Sequence, residues 1–153
     1  MKRALAVLVP LVIGLAAAAQ ATAAPKCRND MLRGSYVLSA SGFTRAAGSP
    51  PGTPWSPKAI IEVITFHGDG TATSPYVTLA NPFGDTGAIV QPSGGGANGL
   101  YTVNDDCTGT IHFLDANNVT WDFVVDPGRA EMLWMIQVNP ANNVFRGTAE
   151  PLH

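Results

Sequence analysis

The sequence predicts an all-β chain, a single eight-stranded antiparallel up-and-down barrel, on three observations. From Ser35 onward, about eight short runs are rich in β-branched and aromatic residues. Most of the links between them carry turn chemistry: His67-Gly68-Asp69-Gly70, Asn104-Asp105-Asp106, Asn117-Asn118, Asp126-Pro127-Gly128 and Asn139-Pro140-Ala141-Asn142. No stretch of this region keeps a helical period for more than a turn or two. Short links make successive strands antiparallel neighbours, and closing such a sheet on itself removes its exposed edges. A two-sheet β-sandwich satisfies the same pattern and stands as the alternative.

The chain opens on an export leader. Lys2 and Arg3 form a positive start, "ALAVLVPLVIGLAAAA" is apolar, and "QATAAPK" supplies small residues for a signal peptidase. Pro25 is a poor residue just after a scissile bond, so cleavage is expected after Ala23. A membrane anchor fits less well, because the apolar run is broken by Pro10 and Gly14 and falls short of the ~20 residues a spanning helix needs. Residues 1–23 are therefore read as signal peptide and 24–153 as one β-barrel domain, exported to the periplasm or the extracellular space. Loss of Lys2 and Arg3 takes the net charge from −2 to −4. No basic run remains, so nucleic acid is not an expected partner. No second long apolar segment follows, so no membrane association is expected after cleavage.

Within the domain, "RNDMLRGS" (28–35) can make one helical turn with Asn29 or Asp30 capping it. "SYVLSASGF" (35–43) is the first strand. The Pro/Gly-rich stretch 44–57 that follows is long for a loop, a length usually found in functional or mobile segments. Strands are then expected at 58–66 and 71–79, joined by a hairpin through Gly68-Asp69-Gly70. Residues 80–99 read as loop with a short strand at 88–91. Strands follow at 100–103, 108–114, 119–125, 130–138 and 143–150. Alternation places Trp121, Phe123 and Val125 on one inward face, and Phe145, Gly147 and Ala149 on another. In 130–138 it is read with Met132, Trp134, Ile136 and Val138 inward, opposite Leu133 and Met135. In 58–66 both faces are apolar, so Glu62 faces inward with Ile60, Ile64 and Phe66, or outward against Ile61 and Val63.

Cys27 and Cys107 are the two cysteines, and in an exported chain they admit one pairing. A nucleophilic role for Cys107 is opposed by Asp105 and Asp106, which raise a thiol pKa. A zinc role is opposed by the absence of C-x-x-C or H-x-x-x-H spacing. A structural disulfide is expected.

Other patterns carry less chemistry than they suggest. "GGGANG" (94–99) satisfies G-x-G-x-x-G but leads into a strand, where no helix N-terminus can meet a pyrophosphate. His67 and Asp69 flank a glycine in a turn, which suits turn geometry better than a metal; neither metal nor cofactor is expected. G-x-S-x-G is absent, and three histidines, one of them terminal His153, give a hydrolase triad little support. His112 and Asp122 are expected to face water. Glu62 and Tyr101 remain as catalytic candidates, and Tyr36, Trp121 and Trp134 as ligand-lining aromatics, against their plain reading as core.

The cluster "GLYTVNDDCTGTIHF" (99–113), with "RGSYVLSASGF" (33–43) and "VFRGTAE" (144–150), resembles a group of bacterial secreted proteins whose strand pairs carry G-x-Y-x-V and D-C-T-G-T. That group is similar to the barrel of allene oxide cyclases and plant dirigent proteins. The resemblance implies an eight-stranded antiparallel barrel with an apolar lumen; it carries no catalytic residue onto a position of this chain, and fold alone does not license function. The expected role is a non-enzymatic binding module for a small apolar ligand, or for a protein partner through loops 44–57 and 80–98. Two alternatives stand beside it. One is a structural or assembly protein associating through an outer face that includes Leu133 and Met135. The other is a cyclase or isomerase with Glu62 or Tyr101 as its polar group. The oligomeric state is left open.

Overall fold

The computed structural model describes residues 26–80, 88–91, 97–116 and 118–153, with the backbone alone for 88–91. Residues 1–25, including the segment read as a leader, most of the 80–99 loop and Asn117 lie outside the described residues. A 3-10 turn, Asn29–Met31, precedes nine strands: β1 (Arg33–Thr44), β2 (Ser56–His67), β3 (Thr71–Ala80), β4 (Ala88–Gln91), β5 (Ala97–Val103), β6 (Thr108–Phe113), β7 (Thr120–Val125), β8 (Leu133–Asn139) and β9 (Asn143–Pro151).

These strands form a closed eight-stranded antiparallel barrel. Each pairs with its neighbour in the chain, and β1 pairs with β9 from Tyr36↔Pro151 to Thr44↔Asn143, which closes the ring. Nine strands fill eight places because β4 and β5 share one. β5 pairs with Thr71–Ser74 of β3, and β4 pairs with Val77–Ala80 farther along the same edge. The β5 strand begins at Ala97, three residues before the sequence pattern placed it.

The change of partner coincides with an irregularity in β3. Val63 pairs with Tyr76 and Thr65 with Thr73, so Ser74 and Pro75 together face Ile64. A proline cannot donate to a ladder and is tolerated at a bulge. The extra residue also reverses the parity of the strand: Ala72 and Ser74 point inward before it, Val77 and Leu79 after it.

Inward residues build the core. Leu38, Ile64, Ile111, Trp121, Val125, Leu133 and Phe145 are almost fully buried. Gly109 is required by this packing, since a Cβ there would lie 2.4 Å from the Phe123 ring and from the Thr102 carbonyl oxygen.

One end of the barrel is sealed. Tyr36 and Tyr101 stand edge-on to Phe66, with ring centroids 5.3 and 5.0 Å apart, a geometry worth about 0.5–1.5 kcal/mol per pair beyond area burial. The Tyr101 hydroxyl donates toward the carbonyls of Asn29 (2.9 Å) and Leu32 (3.1 Å) and accepts from the Gly68 amide (3.1 Å). Tyr36 donates to the Ala130 carbonyl at 2.8 Å. Asn29 does not cap its own turn as expected; its side-chain oxygen takes the Val103 amide at 2.7 Å and so ties the N-terminal segment to β5.

Cys27 and Cys107 are joined by a disulfide with Cα atoms 4.9 Å apart, and both are buried. The turn before β6 presents Cys107. Asn104 and Cys107 close it by backbone hydrogen bonds, and the Asp106 carboxylate accepts both the amide (3.0 Å) and the hydroxyl (2.6 Å) of Thr108. Those two donors hold the Asp106 carboxyl below the ordinary carboxylate range. A buried tie of this kind is sustained in an oxidising environment.

One face is corrected. The expected inward set of residues 130–138 is outward: Trp134, Ile136 and Val138 are about half exposed, while Leu133, Met135 and Gln137 are buried. Both faces of this segment are apolar, so alternation alone cannot choose between them. The turn after β7 chooses. Asp126 and Met132 close it, Ala130 takes a left-handed φ of 53°, and Val125 is set opposite Leu133. With Phe123 inside, its partner Met135 must be inside too. β8 accordingly starts at Leu133 and not at Ala130.

Two stability differences follow. Replacing Cys27 and Cys107 together by serine should cost about 2–5 kcal/mol in denaturant unfolding. Trp121→Ala should cost about 3–5 kcal/mol, whereas Trp134→Ala should stay within about 1 kcal/mol. Equal costs at the two tryptophans would contradict the assignment of faces.

Candidate functional site

The end opposite the seal is open. A cavity of 520 Å³ enters the barrel there, walled by the inner faces of β2, β3, β7 and β8 and by Phe113 at the end of β6. Its rim is the junction of β1 and β9. Arg45 and Asn142 exchange two 3.0 Å hydrogen bonds, Arg45 N–H to the Asn142 carbonyl and Asn142 Nδ2–H to the Arg45 carbonyl. The guanidinium of Arg45 lies 4.7 Å from the centre of the Trp55 ring. Thr44 at the end of β1 and residues 45–47 of the long stretch that follows it thus form part of the mouth. Ala97, the first residue of β5, lines it as well.

Glu62 sits on the cavity wall. Strand β2 places it inward with Ile60 and Ile64, which resolves the ambiguity of a segment apolar on both faces. It is 8 % exposed. Burial is the main cause that pushes its carboxyl up to about 7; the Ser74 hydroxyl bound to it pulls the other way, and the negative charge of Asp115 adds to the rise. Below neutral pH most of Glu62 keeps its proton and has a hydroxyl to donate, and at pH 7 about half of it does.

Three further polar side chains converge here. Ser74 comes inward because of the β3 bulge. Gln137 comes inward with the reversed face of β8, and its Nε2 donates to the Asn139 carbonyl at 2.9 Å. Trp121 lines the cavity, and its indole Nε1 is buried without a hydrogen-bond partner among the described residues. An unmet buried donor costs about 1–3 kcal/mol. Nearer the rim, Lys58 occupies the same inward row as Glu62, its ammonium 5.4 Å from the centre of the Phe145 ring, and partial burial lowers its pKa.

The other residues singled out from sequence lie elsewhere. Tyr36 and Tyr101 belong to the sealed end, with both hydroxyls engaged by backbone groups, so neither joins Glu62. Trp134 is on the outer surface. Asp122 and His112 face outward as expected, bound to Thr110 (2.9 Å) and Thr120 (2.9 Å). Asp69 serves its turn, accepting the Thr71 amide at 2.9 Å and hydroxyl at 2.6 Å.

Sequence reading missed Ser74, Asp115, Gln137 and Lys58. Ser-Pro inside a strand pattern is a bulge signal and points to Ser74. Nothing local in the sequence marks Asp115 or Gln137, because their place at the cavity depends on pairing between distant strands. No protein-family model, curated protein or solved structure matches this chain.

Burial of a neutral carboxyl has a signature in stability. Between pH 4.5 and about 7 the folded chain keeps the Glu62 proton that the unfolded chain releases. Stability should therefore fall as pH rises across that window, by about 3 kcal/mol, and level off above it. Glu62→Gln should remove this slope in denaturant unfolding measured at several pH values. An unchanged slope would mean that Glu62 is ionised in the folded protein.

Proposed function

We propose that this chain is an exported binding module whose open lumen takes a small, largely apolar ligand carrying one neutral hydrogen-bond acceptor. The observation that supports it most is a buried carboxyl that holds its proton up to about pH 7, set in the wall of a 520 Å³ cavity lined largely by apolar side chains. Ligand pockets of this size bury most of a small molecule against apolar walls and orient it with a few polar groups. A carbonyl or ether oxygen suits the Glu62 hydroxyl as donor. A carboxylate would meet the charge of Asp115 and, above neutrality, that of Glu62. The leader motif and the buried disulfide support action outside the cytoplasm. No bound cofactor enters this reading.

A second reading, an isomerase or cyclase similar in type to the allene oxide cyclase barrel, is favoured by one feature. A carboxyl held as an acid near neutral pH can deliver a proton to the acceptor it binds. A substrate held in shape by the walls needs little else. The two readings separate on Glu62→Gln, which keeps a donor for binding and has no proton to transfer.

Nile red, a neutral apolar dye with a carbonyl acceptor, is a suitable probe. Its fluorescence should rise on binding the oxidised, leader-free protein. Val77→Trp, which fills the cavity wall, should weaken binding by about tenfold or more. Wild-type affinity should drop above about pH 7, as Glu62 ionises, and Glu62→Gln should lose that dependence. Unchanged binding to Val77→Trp would place the dye outside the lumen and overturn the reading.

A further inference from the structure

The outer surface of β7, β8 and β9 has a pattern that the lumen does not explain. On β8 three successive outward residues, Trp134, Ile136 and Val138, are 50, 50 and 47 % exposed. Val124 on β7 adds to the same face, as the cross-strand partner of Trp134. An apolar row of this kind on a β-surface is a hallmark of association.

Two charges flank the row. Asp122 on β7 is the register partner of Ile136, and Ile136 is in turn the partner of Arg146 on β9. Neighbouring strands lie about 4.8 Å apart, so the backbones of acid and base stand about 10 Å apart on either side of Ile136. Neither is in an ion pair among the described residues. A hollow lies on each side. The one lined by Asp122, Val124 and Trp134 has a volume of 510 Å³, and the one lined by Val144 and Arg146 has 760 Å³.

We propose that this face is the interface of a two-fold dimer, with the symmetry axis running along β8 in the plane of contact. Rotation about such an axis exchanges the two flanks and keeps the height along the strand. Each Arg146 then enters the hollow of the second copy that holds Asp122, and each Asp122 receives the other copy's Arg146. Trp134 and Ile136 meet their own counterparts at the centre, as an isologous interface requires. An in-plane axis across the strands would set Asp122 against Asp122 and Arg146 against Arg146, so the charges select one geometry. Charge patterning of this sort fixes register and suppresses wrong pairings, while the apolar row supplies contact area. The lumen opens at the barrel end, so the dimer is independent of what the cavity binds.

The test is sedimentation velocity on the full oxidised chain without its leader. Wild type should sediment as a dimer. Asp122→Arg and Arg146→Asp should each weaken dimerisation by about tenfold or more, since each sets like charges opposite one another. Mixed in equal amounts, the two variants should form a heterodimer in which every flank is again an acid–base pair. Circular dichroism should match wild type, because both positions are exposed. Should either variant misfold, Ile136→Arg, which sets two cations against each other at the axis, carries the same expectation of a monomer. A wild-type monomer at the highest attainable concentration would overturn the proposal. So would a dimer indifferent to all three substitutions, or single variants that do not rescue one another.

Discussion

The pairing of the first strand with the last turns a curved sheet into a vessel. Nine residue pairs join β1 to β9, from Tyr36↔Pro151 to Thr44↔Asn143. Ring closure abolishes two edges and obliges every inward side chain to share one narrow interior. Everything distinctive about Glu62 follows from it. On an open sheet the same residue, between Ile61 and Val63, would be half in water with an ordinary carboxyl.

The two ends of the ring are finished in opposite ways. At one end the N-terminal segment crosses the opening, fixed by the Cys27–Cys107 bond and by the contacts of Tyr101 and Asn29. A tie across a separation of 80 residues removes chain entropy worth about 4–5 kcal/mol in the loop-closure model. That end is core. At the other, β3 bulges at Ser74-Pro75 and trades β5 for the short β4, and β6 and β7 are only six residues each. Side chains there do not fill the lumen. The chain instead places an acid, an indole, an amide and a hydroxyl around the remaining space, a set that suits recognition better than packing.

The strands were legible because alternation and turn chemistry act locally. The β4 segment at 88–91, the Gly68-Asp69-Gly70 hairpin and the Cys27–Cys107 tie could all be read from residue types and compartment. What failed was phase. In 130–138 both faces carry large apolar residues, and the preference for burying a tryptophan pointed the wrong way; the geometry of the 126–132 turn, with Ala130 at positive φ, decided the matter. The cost of that choice is a glutamine inside and a tryptophan outside, and both take on a role in the account above. Glu62 was singled out from sequence, yet its polar companions were not. Ser74 reaches it through a bulge, and Asp115 through the short link between β6 and β7. Tyr36, read from sequence as a ligand-lining aromatic, and Tyr101, read as a catalytic candidate, both lie at the sealed end, away from Glu62.

The central claim is that burial in the lumen lets Glu62 keep its proton well above the ordinary glutamate range, up to about pH 7. It is tested most directly by a carbon-13 NMR titration of the glutamate side-chain carboxyls, with the Glu62 signal assigned by its absence from Glu62→Gln. The account predicts an inflection near pH 7 for this carbon. An inflection near 4.5, the ordinary glutamate value, would mean a charged and solvated Glu62, and the ligand reading built on its proton would fall.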